Sequence, residues 1–397
     1  MPLAKRTQLI SPSPTLAVAA KAKKMKAEGI DIVDFGAGEP DYDTPENIKQ
    51  AAIFAIQQGF TKYTAVAGIP ELRQAVAENL RAVNGLEYTP DEILISCGAK
   101  HSLFNIALAL FQQGDEVLIP APYWTTYPEQ IKLVGATPVF VQTEEDDGFQ
   151  LTPERLKPEL TLRTKAIIVN TPSNPTGVVY SRENLEAIAR FALDNNLYLV
   201  SDECYDRLTY DGAKHVSLAG LGHEIKRHTI VVNAVSKPYS MTGWRIGYAA
   251  GPKEIIKAME DIQSQSTSNP TSISQKAALE ALRGPQKKVE EMCAEFDRRR
   301  LYMHKELSAI PGITCFKPQG AFYTFPRCDK FYGKSYQKHH INSSSDLTAY
   351  ILEEARVALV PGIAFGDDRY LRLSYACSME SIQKGLARIR EALGKLG

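Results

Sequence analysis

Ala234-Val235-Ser236-Lys237-Pro238-Tyr239-Ser240-Met241-Thr242-Gly243-Trp244-Arg245-Ile246-Gly247 lies between two apolar runs, 230–233 and 246–250, that both read as strands. The first strand ends in hydroxyls and a lysine. An arginine follows eight residues after that lysine, beside two glycines. A lysine in a dry pocket gives up its proton more easily and can act as nucleophile and base. Ser236 and Arg245 suit a phosphate dianion. Alone, a loop lysine is a solvated surface charge, so the reading depends on what surrounds it.

Outward from this stretch, short β-branched runs at 92–96, 116–119, 138–142, 166–170 and 198–201 alternate with amphipathic segments such as 101–112 and 181–195. Strand-helix repetition predicts an α/β fold, a mainly parallel sheet covered by helices on both faces. Ligands of such sheets sit at the carboxyl ends of strands. Past about residue 285 the texture changes. A long charged helix at 287–307, short strands at 321–325, 358–360 and 371–375, and a last helix at 379–393 predict a smaller α+β domain. The expected division is a large domain over 45–285 and a small one made of 1–44 with 286–397. The stretch 330–345 has no clear period and reads as a surface loop.

The bulk properties narrow the function. A chain of 397 residues is long for one core. Lys+Arg and Asp+Glu both number 46, so the formal charge is zero and offers no field for gathering nucleic acid or an anionic membrane. The six cysteines contain no CxxC pair, which predicts reduced structural thiols and no metal. The basic start has neither a signal peptide nor an apolar span, and reads as a helix over 16–28 with Thr15 as N-cap and Gly29 at its end. The compartment expected from this is the cytoplasm.

Further motifs stand in order along the chain: Gly36-Ala37-Gly38-Glu39-Pro40-Asp41; Tyr63; Gly98-Ala99-Lys100; Pro122-Tyr123-Trp124; Asn170-Thr171-Pro172-Ser173-Asn174-Pro175-Thr176-Gly177; Ser201-Asp202-Glu203-Cys204-Tyr205; and Arg372-Leu373-Ser374-Tyr375. With the lysine stretch they resemble the class I aminotransferases, a pyridoxal-phosphate family of fold type I, and especially their bacterial aspartate aminotransferase branch. The resemblance runs from about Ser13 to Leu393.

It implies pyridoxal 5'-phosphate held as a Schiff base on Lys237. Asp202 follows an apolar strand and is expected at the pyridine nitrogen, with Tyr205 and Asn174 at the phenolic oxygen. Gly98, Ala99 and Lys100 stand where a helix begins, and its free N–H groups suit a phosphate. Ser236, Arg245 and, from the partner subunit of a homodimer, Tyr63 are expected there too. Trp124 is expected to stack on the ring. Arg372 and the Gly38 N–H are expected to take the substrate α-carboxylate, and Lys100 a second carboxylate. Read without the family, Asp202 is also a helix cap, Asn174 a turn residue, Trp124 a core aromatic, and Arg372 or Lys100 a surface charge.

Ala234, Pro238 and Ala99 depart from the family pattern without removing a reacting group. The implied reaction is a ping-pong exchange of amino groups between amino acids and 2-oxo acids. Aspartate or glutamate with 2-oxoglutarate or oxaloacetate is the first expectation; prephenate, aromatic or neutral amino acids are the alternative. A lyase or oxidase on the same fold remains a rival. A nicotinamide dehydrogenase lacks its third glycine after Gly36-x-Gly38, and a cofactor-free binding protein would not need this reacting set.

Overall fold

The structure, a computed structural model, describes residues 3–11 and 14–397. The seven apolar runs between residues 92 and 250 form one sheet. Its strands are β1 (Ile93–Ser96), β2 (Glu116–Ala121), β3 (Thr137–Gln142), β4 (Thr164–Asn170), β5 (Tyr198–Asp202), β6 (Thr229–Ala234) and β7 (Gly247–Ala250). They lie in the order β1-β7-β6-β5-β4-β2-β3. All run parallel except β7, which is antiparallel to both β1 and β6.

The described helices that matter for the site are α1 (Pro14–Ala27), α2 (Ala99–Leu110), α3 (Thr126–Leu133), α4 (Arg182–Asp194), α5 (Lys253–Ser266), α6 (Lys287–Ser308) and α7 (Met379–Gly394). Alternation along the strands sends side chains to both sheet faces. Ile167, Val169 and Leu199 pack with Leu185 and Ile188 of α4. Ile168, Val200 and Val232 pack with Leu103 and Ile106 of α2 and Met259 of α5. Each such buried aliphatic side chain contributes about 1.5–3 kcal/mol, which is why the strands read as continuous apolar runs. Among the described residues no helix is long and apolar enough to cross a membrane.

A second, antiparallel sheet has the order β9-β10-β8, with β8 (Tyr323–Thr324), β9 (Val360–Pro361) and β10 (Leu371–Ser374). Its core includes Phe296 and Met303 of α6, Ile382 and Leu386 of α7, and Val33 and Phe35 from near the start of the chain. The same cluster takes in Tyr205 and Leu208, just after β5. That continuity holds β10, and Arg372 with it, over the carboxyl end of the large sheet.

Four local expectations need correcting. Thr15 does not cap the first helix: α1 begins at Pro14, and Thr15 lies inside it. A proline with its preset φ favours the first helical position. The helix expected from 101 begins at Ala99, so Gly98 is its N-cap. The strand expected at 358–360 is two pieces: Val357–Ala358 pairs in parallel with Val33–Asp34, and Val360–Pro361 joins β10. The stretch 330–345 is not structureless. Ser335–Tyr336 and His339–His340 form a hairpin whose Tyr336 and His339 rings pack on Tyr350, and Ser335 exchanges backbone hydrogen bonds with Gly397. Those partners are distant in sequence, so no local period announces them.

Candidate active site

The carboxyl ends of β4, β5 and β6 and the start of α2 open into one cavity of about 670 Å³, roofed by Gly36–Glu39 and Arg372. Asn170, Asp202 and Ala234 are the last residues of three adjacent parallel strands. Placement at strand ends follows from the parallel topology, which carries every strand-to-helix connection to the same edge.

Lys237 follows β6 by three residues, and its Nζ donates to the Gly38 carbonyl at 2.5 Å. The amine stands 5.9 Å from the Tyr205 ring centre and 5.8 Å from that of Phe322. Burial pulls it down to about 8, with Arg372 and Arg245 pushing the same way and the Glu39 charge opposing. Only the neutral amine is a nucleophile. Loading of the cofactor-free protein with pyridoxal phosphate is therefore expected to speed up about tenfold per pH unit below 8 and to level off above it. Stopped-flow absorbance across the pH range measures this; a rate that stayed flat from pH 6 to 9 would contradict the lowered amine.

Asp202 is buried, and burial pushes its carboxyl upward against hydrogen bonds that hold it down. Its Oδ2 accepts from the Tyr127 hydroxyl at 2.6 Å, and its Oδ1 from the Cys204 N–H at 3.2 Å. Asn170 Nδ2 donates to the Asp202 carbonyl at 3.0 Å, and Asn170 Oδ1 accepts from the Asn174 N–H at 2.9 Å. Asn174 thereby keeps its turn position while its own Oδ1 accepts from Arg372 Nη1 at 3.1 Å. The Tyr205 hydroxyl meets the Tyr323 hydroxyl at 3.0 Å.

Arg372 is the unusual group. It is 2% exposed, its Nη2 donates to the Gly36 carbonyl at 2.8 Å, and its Nε has no partner. The guanidinium lies 4.5 Å from the Tyr323 ring centre and 5.0 Å from that of Phe365. No described carboxylate forms an ion pair with it. A buried cation held only by carbonyls and rings costs several kcal/mol, and burial lowers its proton affinity accordingly. Such a fork is complete only with an anion.

At the other end of the cavity, α2 begins at Ala99 with Gly98 in the left-handed region at φ 86°. A Cβ on Gly98 would fall 2.5 Å from Arg245 Nη2, and one on Gly247 would fall 2.3 Å from the Ala99 nitrogen. Two glycines thus let the helix start, β7 and the arginine converge. Arg245 Nη1 donates to the Thr242 carbonyl at 3.0 Å and its Nη2 to the Cys97 carbonyl at 3.3 Å, which aims the guanidinium along the helix start. Lys100 lies 5.1 Å from the Trp124 ring centre; burial, then the Arg245 charge, lowers it.

Eleven of the thirteen expected residues line the cavity: Gly38, Ala99, Lys100, Trp124, Asn174, Asp202, Tyr205, Ser236, Lys237, Arg245 and Arg372. Gly98 stands directly behind Arg245. Tyr63 lies outside the cavity of its own chain and is 90% exposed. Gly38 presents its carbonyl to Lys237. Sequence reasoning left Tyr127, Asn170 and Tyr323 without roles. Tyr127 follows Trp124 at helical spacing and Asn170 ends a strand, so both carried a weak signal; Tyr323 carried none. The six cysteines are free, and among the described residues no group of histidines, cysteines and carboxylates could hold a metal.

A family model described as aminotransferase class I and II matches residues 30–389. The chain is 51% identical to an aspartate aminotransferase of Bacillus sp. (strain YM-2), over 98% of each chain. It is 50% identical to a "probable aspartate/prephenate aminotransferase" of Aquifex aeolicus, over 99% of each. Among solved structures, an aspartate aminotransferase from Thermus thermophilus with maleate superposes with a TM-score of 0.93 at 44% identity, covering 99% of this chain and all of the other.

Proposed function

This chain belongs to the class I and II aminotransferases, and on that premise we propose that it exchanges the amino group of aspartate or glutamate with 2-oxoglutarate or oxaloacetate. The observation that carries the reading is the pairing of a lowered amine, Lys237, with a buried fork, Arg372, that lacks an anion, in one cavity. The relatives named for aspartate support the choice of substrate.

Pyridoxal phosphate fits the residues present. The start of α2, where the missing Cβ of Gly98 lets the Arg245 guanidinium close in beside the first helical N–H groups, suits a phosphate, and Asp202 at a strand end suits a protonated ring nitrogen. Bound there, the cofactor supplies an electron-withdrawing ring that acidifies the substrate Cα–H. Lys237, once free and neutral, takes that proton and returns it. Arg372 binds the α-carboxylate with the two donors Nη and Nε in its plane. Asp202 keeps a negative charge opposite the ring nitrogen, while Trp124 covers a ring face and excludes water. Tyr205, Asn174, Ser236 and Ala99 complete the cofactor's hydrogen-bonding surroundings.

A homodimer in which Tyr63 reaches a neighbouring subunit's phosphate belongs to the same proposal, and so does the division into domains 45–285 and 1–44 with 286–397. Lys100 is assigned the second carboxylate of dicarboxylic substrates. Lys100→Ala is expected to raise KM for aspartate about tenfold while changing KM for alanine less than twofold; equal effects on both would remove that role. A second reading, amination of prephenate, is favoured by the Aquifex relative's name and by a cavity large enough for a ring-bearing acid.

The test is direct. The protein with pyridoxal phosphate is expected to absorb near the visible edge, to change colour with aspartate, and to form one oxo acid per amino acid without ammonia. A protein that takes up no pyridoxal phosphate refutes the cofactor; ammonia release refutes the transfer. A panel with prephenate among the acceptors separates the two substrate readings.

A further inference from the structure

Tyr127 sits in the first turn of α3, buried, three residues after Trp124. Its ring meets Trp124 edge-on, 5.4 Å between centres and 82° between planes. Its hydroxyl reaches Asp202 Oδ2 at 2.6 Å, across 75 positions of sequence. One short helix thus fixes both the aromatic at the cavity wall and the carboxylate at the strand end.

We propose that Tyr127 is a positioning residue: its hydroxyl locks the Asp202 carboxylate in the orientation and the ionised form that the cofactor's ring nitrogen needs. The proposal rests on the function inferred above and extends it to a side chain whose hydroxyl acts through Asp202. Without donors, a carboxylate 5% exposed tends to take up a proton. The charges around it make matters worse. Glu203 is adjacent in the chain and fully buried, and its carboxylate raises Asp202 further. Glu203 is itself held by Ser201, Ser217 and His215, so it does not turn away.

Three groups oppose this: the Tyr127 hydroxyl on α3, and the Cys204 N–H and thiol beside Asp202. Lys237 acts on Cys204, and Tyr205 on Tyr127. Of the two hydrogen bonds to the carboxylate oxygens, the one from Tyr127 is the shorter, at 2.6 Å against 3.2 Å. Its length is that of a charge-assisted O–H···O⁻ bond. Burial holds the Tyr127 phenol well above its usual range, so it remains a donor at every working pH. Oδ2 is held by the Tyr127 hydroxyl and Oδ1 by the Cys204 N–H.

Tyr127→Phe keeps the ring against Trp124 and deletes only the hydroxyl. In cofactor-free protein carrying ¹³C-labelled aspartate, the Asp202 carboxyl, assigned through Asp202→Asn, is expected to titrate at higher pH than in the parent. In the loaded enzyme kcat is expected to fall about 10- to 100-fold, with KM within about twofold and the ¹⁵N signal of labelled pyridoxal phosphate moved toward the unprotonated ring. A second variant, with 3-fluorotyrosine at 127, retains a stronger donor and is expected to move Asp202 the opposite way; it serves also if the phenylalanine variant does not fold. An Asp202 titration that is unmoved by either change overturns the proposal. If the parent takes up no pyridoxal phosphate, the proposed function fails instead, and the titration in cofactor-free protein still decides the Tyr127 contact.

Discussion

Lys237→Ala is expected to lower kcat/KM for every amino donor by about 10⁴-fold or more. A positioned acid–base group contributes about 10²–10⁴, and covalent attachment of the cofactor adds to it. Four lysines line the cavity, Lys23, Lys26, Lys100 and Lys237, and of these Lys237 is the one that donates to the Gly38 carbonyl beside the end of β6. The substitution is expected to leave folding intact, since it removes a buried cation that has one hydrogen bond. Steady-state turnover with aspartate, beside a thermal melt of the same preparation, measures both. Retention of a tenth of the parent activity would show that another group moves the proton.

Arg372→Leu is the second large effect and has two opposite signs. For catalysis, loss of a fork that takes a carboxylate with two bonds is expected to lower kcat/KM about 10²- to 10³-fold, mostly through KM. Arg372→Lys is expected to recover little of this, because a point charge cannot hold both the Asn174 amide and the Gly36 carbonyl while facing the substrate. For stability, the cofactor-free protein is expected to melt at the same temperature or higher. The native side chain keeps an unpartnered Nε and a desolvated charge at 2% exposure, and an apolar group of similar volume relieves that cost. Calorimetry on the two proteins checks it. A melting point several degrees lower in Arg372→Leu would mean that the arginine is chiefly a scaffold.

The parts legible in sequence were those whose physics is local. Six of the seven strands showed because they are buried on both faces and must be apolar along their length; the edge strand Thr137–Gln142 is largely exposed and showed through its β-branched residues. Asp202 and Lys237 showed because polar groups ending such runs stand at the edge where ligands bind. Pairing direction was not legible: nothing in the composition of Gly247–Ala250 says that it runs against its neighbours. The Tyr127 bond to Asp202 and the Tyr205 bond to Tyr323 join residues far apart in the chain, so spacing carried no trace of them. Thr15 misled for a related reason. Cap preferences rank residue types, but Pro14 set the start of the helix. The hairpin after Tyr332 was hidden because its support comes from Tyr350 and Gly397.

The antiparallel strand β7 has a consequence for the order in which the protein can be made. Ser96, two residues before the helix N-cap Gly98, pairs with Gly247, and Ala99 packs directly on Gly247. On the ribosome, β1 emerges without the strand it must pair with and stays open until the chain has grown past residue 250. Closing so long a loop costs entropy that only late contacts repay. The junction of β1, α2 and β7 is therefore among the last parts of the sheet to assemble. A nascent chain halted before β7 is expected to show no protection from proteolysis in α2, and a chain halted beyond α5 to show it.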